Sequence, residues 1–140
     1  MAFAERTDVT FDKSVMQISA ALRGAKAAQI FQGEDNGTFA IQFRLGDRMI
    51  RFRLLLSDAN SRRSADQVRR QRGRALLLVI KAKLESVESG IETVEQAFLA
   101  NVVMSDGATV YERAAEQIAI EYQTGRPSPV AGLLAGPPVP

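Results

Sequence analysis

The chain has 140 residues, 18 basic and 16 acidic, for a net charge of +2, and this length suits one domain. Hydrophobic residues make up 46% and charged residues 24%, as in ordinary soluble globular domains, so the chain is long and apolar enough to build its own core. It contains no cysteine and no histidine. That composition excludes thiolate chemistry, cysteine–zinc clusters and the commonest general base.

The sequence predicts a cytoplasmic protein without a membrane partner. The longest apolar run, residues 75–80, is far too short to cross a bilayer. The first ten residues lack the apolar core of a signal peptide.

The first predicted element is a short helix over residues 14–23. Ser14 followed by Gln17 resembles a capping box. Apolar residues follow at helical spacing, and Gly24 stands where a left-handed glycine would end the helix.

A short strand is predicted over residues 27–32, followed by a turn at residues 33–37. Phe31 in this strand is assigned to neither face. Two alternating strands follow at residues 38–45 and 48–56, joined by Gly46 and Asp47 in a two-residue type II′ turn.

Pairing around that turn makes the apolar faces of the two strands coincide, since it places Phe43 opposite Ile50. The opposite face then carries Arg44, Arg51 and Arg53. The apolar face includes Phe39, Phe43 and Phe52, which we predict to be core residues.

The second half of the chain is predicted to be helical. A long helix over residues 64–89 ends at Gly90, and Gly73 within it weakens the helix by about 1 kcal/mol relative to alanine. Two capping-box patterns, Thr93 with Gln96 and Thr109 with Glu112, predict helices running to about residue 101 and to residue 124.

Together these elements predict an α+β fold: a three-stranded antiparallel meander, a short N-terminal helix and a C-terminal helical half with one long and two shorter helices. We expect the helices to pack on the apolar face of the sheet. The domain is predicted to span residues 1–125. Residues 126–140 contain all five prolines and are predicted to be a mobile tail.

Positive charge is concentrated in the middle of the chain. Residues 44–83 contain twelve basic and three acidic residues, a net charge of +9, whereas residues 84–140 carry −6. Arginine binds phosphate oxygens bidentately, so an arginine-rich sheet face beside an arginine-rich helix start predicts a polyanion site. The candidate contacts are Arg44, Arg51, Arg53, Arg69, Arg70, Arg72 and Arg74. The alternative is that these arginines pair with the acidic C-terminal half, within the chain or between subunits.

Signals for catalysis are weak. The sequence has no glycine-rich phosphate loop with its lysine. Glu85, Glu88, Glu92 and Glu95 recur at helical spacing, but without histidine partners such a set is more often a solvated face than a metal site. We therefore expect a protein that is not an enzyme and uses no metal or cofactor.

Three stretches of the chain resemble a family of small uncharacterised proteins from bacteriophages and mobile elements. They are FRLGDRMIRF at residues 43–52, RGRALLLVIKAKLESVESGI at residues 72–91 and FLANVVMSDG at residues 98–107, within a resemblance that covers roughly residues 5–126. The resemblance implies a phage context and brings no catalytic residues. Where the family pattern has tryptophan after Arg72, this chain has Gly73.

A phage context predicts, first, a nucleic-acid-binding accessory to recombination or replication, including single-strand binding or annealing. The order of strands and helix is loosely analogous to the core of single-strand annealing proteins. One alternative is an anti-defence protein, similar to anti-CRISPR proteins, that inhibits a host immune complex. Another is a virion or assembly protein. The expected partners are nucleic acid or a host defence protein, and we expect a homo-oligomer in the host cytoplasm.

Overall fold

The structure is a computed structural model that describes residues 7–128. Its elements are helix α1 (Phe11–Gly24), strands β1 (Ala28–Asp35), β2 (Thr38–Leu45) and β3 (Arg48–Leu55), and helices α2 (Ala65–Glu88), α3 (Val94–Ala97) and α4 (Val110–Thr124). The strands form one antiparallel sheet in the order β1-β2-β3. The predicted α+β meander with helices before and after it is confirmed. Most of the predicted tail, residues 129–140, lies outside the described residues.

The β2–β3 hairpin has the predicted register. Phe43 lies opposite Ile50 and Leu45 opposite Arg48. Gly46 takes a φ of +60°, which the first position of a type II′ turn requires and which glycine adopts without steric cost. The arginines and the apolar side chains therefore occupy opposite faces of the sheet, as predicted.

Strand β1 is longer than predicted, and the turn after it is shorter. The turn contains only Asn36 and Gly37, which have φ values of +50° and +75°. Positive φ at both positions defines a type I′ turn, which Asn-Gly favours. Because two residues suffice for the reversal, Gly33, Glu34 and Asp35 remain in the strand and pair with β2.

Helix α1 begins at Phe11, one turn before the predicted start. The side chain of Thr10 accepts a hydrogen bond from the Lys13 amide and caps the helix. The predicted capping box of Ser14 and Gln17 is wrong, because Ser14 is buried inside the helix rather than positioned at its end.

The end of α1 also differs from the prediction. Gly24 is the last helical residue, and the left-handed position belongs to Lys26, with a φ of +65°. The Lys26 amide donates to the Arg23 carbonyl and the Ala27 amide to the Leu22 carbonyl. This pair of hydrogen bonds is a Schellman motif with lysine in place of the usual glycine.

The hydrophobic core lies between the apolar face of the sheet, called the inner face below, and helices α1 and α2. Phe39, Phe43 and Phe52 are buried in it as predicted. The two helices approach closely at Gly73, where an added Cβ would lie 2.7 Å from Cδ1 of Phe11. Gly73 therefore lies at the contact between α1 and α2.

The C-terminal half contains the two predicted capping boxes, at Thr93 and at Thr109. The first opens only a four-residue helix, followed by a 3-10 helix at Leu99–Asn101, rather than one helix to residue 101. The chain leaves the helix because Phe98 is buried and Val102 must then reach the edge of β3, where it pairs with Ile50.

Helix α4 packs lightly on the rest of the protein. Ala114 is its one buried residue within the described part of the chain, whereas Tyr111, Ile118 and Tyr122 are exposed.

The expectation that the protein forms a homo-oligomer stays a prediction. Among residues 7–128, no helix is both long enough and apolar enough to span a membrane.

Candidate nucleic-acid interface

The face of the sheet opposite the core, called the outer face below, carries four rows of paired residues. The central row of the candidate site is Phe31, Gln42 and Arg51, on β1, β2 and β3. On one side lies the row Ala28, Arg44 and Met49. On the other side lie the row Gly33, Ala40 and Arg53 and then the row Asp35, Thr38 and Leu55. Because directly paired residues project to the same face, Arg44, Arg51 and Arg53, called the sheet arginines below, share this surface.

Arg51 and Arg53 are both held by one carboxylate. Arg51 Nη2 donates to Glu112 Oε1 at 2.9 Å and to the Gly107 carbonyl at 2.8 Å. Arg53 Nη1 donates to Glu112 Oε2 at 3.3 Å. The Arg51 side chain is 14% exposed and the Arg53 side chain 58% exposed. Arg51 is thus fixed in place, whereas Arg53 keeps much of its guanidinium in solvent.

Glu112 reaches these arginines because the chain before α4 follows the edge of β3. Val102 pairs with Ile50, and the Val103 amide donates to the Met49 carbonyl at 2.8 Å. The backbone amide of Thr109 lowers the pKa of Glu112, and Arg51 lowers it further. At neutral pH this ionised carboxylate offsets one of the two positive charges beside it.

Arg44 is the most available of the three sheet arginines. It is exposed on β2 next to the hairpin turn. Within residues 7–128, no carboxylate contacts it. Near these residues the outer face retains about two uncompensated positive charges, one at Arg44 and one shared by Arg51 and Arg53. Asp35, in the last row of the same face, reduces the net charge of the whole face to about +1.

The four arginines of α2 lie on the other side of the sheet, because α2 packs on the inner face. Arg69 makes two hydrogen bonds to Glu34, at 2.6 and 3.0 Å, and its Cζ lies 4.4 Å from the ring centroid of Phe11. These hydrogen bonds lower the pKa of Glu34. Arg70 forms an ion pair with Asp66 at 2.8 Å.

Arg74 donates to the amide oxygen of Gln17 at 2.8 Å, so its charge is not neutralised by that contact. Arg72 is half-buried, and none of the described carboxylates contacts it.

The expected single patch of seven arginines is thus wrong in its geometry: the sheet and helix arginines form two sets on opposite sides of the sheet. The alternative, pairing with the acidic C-terminal half, holds within the chain for Arg51 and Arg53, which pair with Glu112. Arg69 and Arg70 pair instead with carboxylates outside that half, Glu34 and Asp66.

Two exposed aromatic side chains flank the sheet arginines. Phe31 is 69% exposed and borders a shallow depression of about 240 Å³ with Gly33, Gln42 and Arg51. Tyr111 is 61% exposed and lines a neighbouring cleft of about 320 Å³ with Arg51 and Arg53. Arg51 borders both, so the aromatic rings stand on either side of it.

Sequence reasoning misses these two rings for identifiable reasons. The register of β1 shifts between Ala28 and Phe31, where Gln29 has a φ of +52°, so alternation along this strand does not reveal the face of Phe31. The spacing of Tyr111 and Tyr122 along the last helix is typical of a packing stripe, yet both rings are exposed. One feature of the sequence does indicate the position of Tyr111. It lies two residues after the capping residue Thr109, at the start of α4, where Glu112 forms a hydrogen bond with Arg51 of β3.

No group of histidine, cysteine or acidic side chains within the described residues has the arrangement to hold a metal ion. The chain matches no protein-family model. No curated protein and no solved structure matches it either.

Proposed function

We propose that the protein binds nucleic acid through the outer face of its sheet and acts without catalysis. The observation that carries this proposal is the row Phe31–Gln42–Arg51, an exposed aromatic ring and a fixed guanidinium on one flat surface, with Arg44 and Arg53 beside it. Basic groups that contact the backbone, combined with rings on which bases stack, are the recurring parts of sheet surfaces that bind nucleic acid.

The openness of the outer face supports this function. Helices α1 and α2 cover the inner face, while on the outer face the row beside Phe31 has no side chain at Gly33 and only a methyl group at Ala40. A Cβ added at Gly33 would meet no atom within 4 Å. A polymer can therefore lie across the strands without displacing part of the protein.

The size of the two depressions argues against a small-molecule ligand on the outer face. One volume, about 240 Å³, is below the roughly 300–1,000 Å³ typical of pockets that enclose small ligands, and the other, about 320 Å³, is near the lower end of that range. The narrower prediction of a phage recombination or replication accessory rests on the resemblance and stays a prediction.

The test is a fluorescence-anisotropy titration of labelled oligonucleotides at about 50 mM and about 200 mM salt. Two effective positive charges, one at Arg44 and one shared by Arg51 and Arg53, predict a slope of log affinity against log salt of about −1.4 for a single strand, since each neutralised phosphate contributes about −0.7. The double variant R44Q/R53Q is expected to bind at least about tenfold more weakly at the lower salt.

The matched control is R72Q/R74Q, which removes the same charge from the helical layer. Its affinity is expected to stay close to that of the original protein. The absence of binding at low salt, or an equal loss in both double variants, would overturn the proposal.

A further inference from the structure

We infer that the nucleic acid taken by this face is single-stranded, with one base stacked on the ring of Phe31. The inference rests on the proposed function and specifies its substrate class. It begins from the 69% exposure of a phenylalanine within a strand, where the apolar rings of β2 and β3 are buried. An exposed aromatic ring in the same row as Arg51 and beside Arg44 and Arg53 offers a stacking surface next to groups that bind phosphate.

The neighbours of Phe31 leave room for a flat ring. Gly33, two residues along β1 on the same face, has no side chain, and its partner Ala40 has only a methyl group. The resulting depression of about 240 Å³ is open on one side and suits one planar heterocycle laid on the sheet. A larger residue at position 33 would fill that space.

The groups beside Phe31 match the remaining parts of a nucleotide. Gln42 lies directly across from Phe31, and its amide offers both a donor and an acceptor to the edge of a base. Arg51 follows in the same row, and adjacent strands lie about 4.8 Å apart, so its backbone stands about 10 Å from that of Phe31. Arg44 and Arg53 lie in the rows on either side of this one and offer guanidinium groups to backbone phosphates.

The geometry selects single strands, because a duplex presents base edges in its grooves and keeps base faces stacked inside. A paired base has both of its faces covered by its neighbours in the stack, whereas an unpaired base can turn one face to Phe31. Base–aromatic stacking is sequence-tolerant, so affinity is expected to depend weakly on base identity. Tyr111, on the far side of Arg51, offers a second ring along the same path.

The chain contains no tryptophan, so the substitution Phe31→Trp places a single indole at the proposed stacking position. A single-stranded oligonucleotide is expected to quench its emission, with DNA and RNA tested separately, and a duplex of the same length at the same concentration is expected to leave it largely unchanged. Phe31→Leu, which keeps an apolar side chain without a ring, is expected to lower single-strand affinity about tenfold.

Phe31→Tyr retains a stacking ring and is expected to bind as well as the original protein. Tyr122→Leu removes an exposed ring on α4, 88% exposed and away from this row, and is expected to change nothing. Oligonucleotides could bind without changing the indole emission of Phe31→Trp, with no effect of Phe31→Leu and with equal affinity for duplex. That result would overturn the single-strand inference and leave the proposed function standing. If no nucleic acid binds at all, both are overturned.

Discussion

Arg51 and Glu112 join the sheet to the last helix through a 2.9 Å hydrogen bond between residues 61 positions apart. The same carboxylate accepts a hydrogen bond from the Thr109 amide and closes the capping box of α4. Glu112 therefore has two roles: it orders the start of α4 and offsets part of the positive charge of the outer face. These roles can be separated, because glutamine also closes a capping box but carries no charge.

Glu112→Gln is expected to strengthen nucleic-acid binding while leaving the fold nearly unchanged. Removing the carboxylate charge releases the full charge of Arg51 and Arg53, so affinity at low salt rises severalfold and the salt slope becomes steeper by roughly 0.7. Stability is expected to fall by about 1 kcal/mol, since the glutamine oxygen still accepts from the Thr109 amide while Arg51, 14% exposed, loses its charged partner. Anisotropy titrations and urea unfolding measure the two effects, and weaker binding by this variant would contradict the assigned role.

Acidification is expected to destabilise the protein through three paired carboxylates. The pKa of Glu34 is lowered mainly by its contact with Arg69, and that of Asp106 mainly by Arg113. The pKa of Glu112 is lowered mainly by the hydrogen bond from the Thr109 amide. A pKa that is lower in the folded state means that the unfolded chain binds protons first. The stabilisation is therefore complete above the ordinary glutamate value of 4.5 and is lost as the pH falls through the lowered folded values.

Urea unfolding measured between pH 7 and pH 3 checks this expectation. The free energy of unfolding should hold steady down to about pH 5 and then decline. The Glu34→Gln variant, which cannot ionise at this position, should show a shallower decline. A stability that rises between pH 5 and pH 3 would contradict the assignment.

Gly73→Ala is expected to destabilise the protein even though alanine favours helix. The new Cβ would lie 2.7 Å from Cδ1 of Phe11, whose ring is fixed edge-on against Phe39 and beneath Arg69. Overpacking of about 1–3 kcal/mol exceeds the helix-propensity gain of about 1 kcal/mol. A tryptophan at this position would require α1 and α2 to move apart.

The double variant Phe11→Leu with Gly73→Ala provides the control, since a smaller side chain at position 11 makes room for the new methyl group. The cost of Gly73→Ala should be smaller in this background, which a double-mutant cycle by thermal unfolding would show. Stabilisation by Gly73→Ala alone would show that the two helices do not meet at this contact.

Lys26→Gly is expected to stabilise the protein by about 1 kcal/mol, because lysine occupies the left-handed position that ends α1. Gly24→Ala is the informative companion. Gly24 is helical with open space around it, so alanine there is expected to stabilise as well, by up to about 1 kcal/mol. If Gly24→Ala destabilises and Lys26→Gly does not help, the left-handed residue is at position 24, as the sequence alone predicts.

The sequence best predicts those structural features that depend on residues close together in the chain. Alternation and a two-residue turn determine the β2–β3 register, and the capping boxes at Thr93 and Thr109 are local signals. The face of Phe31 could not be predicted, because a bulge at Gln29 changes the register of β1. The separation of the arginines into two sets depends on which face α2 covers, and their partners, such as Glu34 for Arg69, lie tens of residues away in the chain.

The most direct test of the central claim is to map bound nucleic acid onto the protein by NMR. Amide chemical shifts would be followed while an unlabelled single-stranded oligonucleotide of about 16 nucleotides is added at low salt. We expect the changes to concentrate on the outer-face rows of β1, β2 and β3 and near Tyr111, and to spare the first half of α2. Changes centred on Arg69 to Arg74, or none at saturating oligonucleotide, would contradict the proposal.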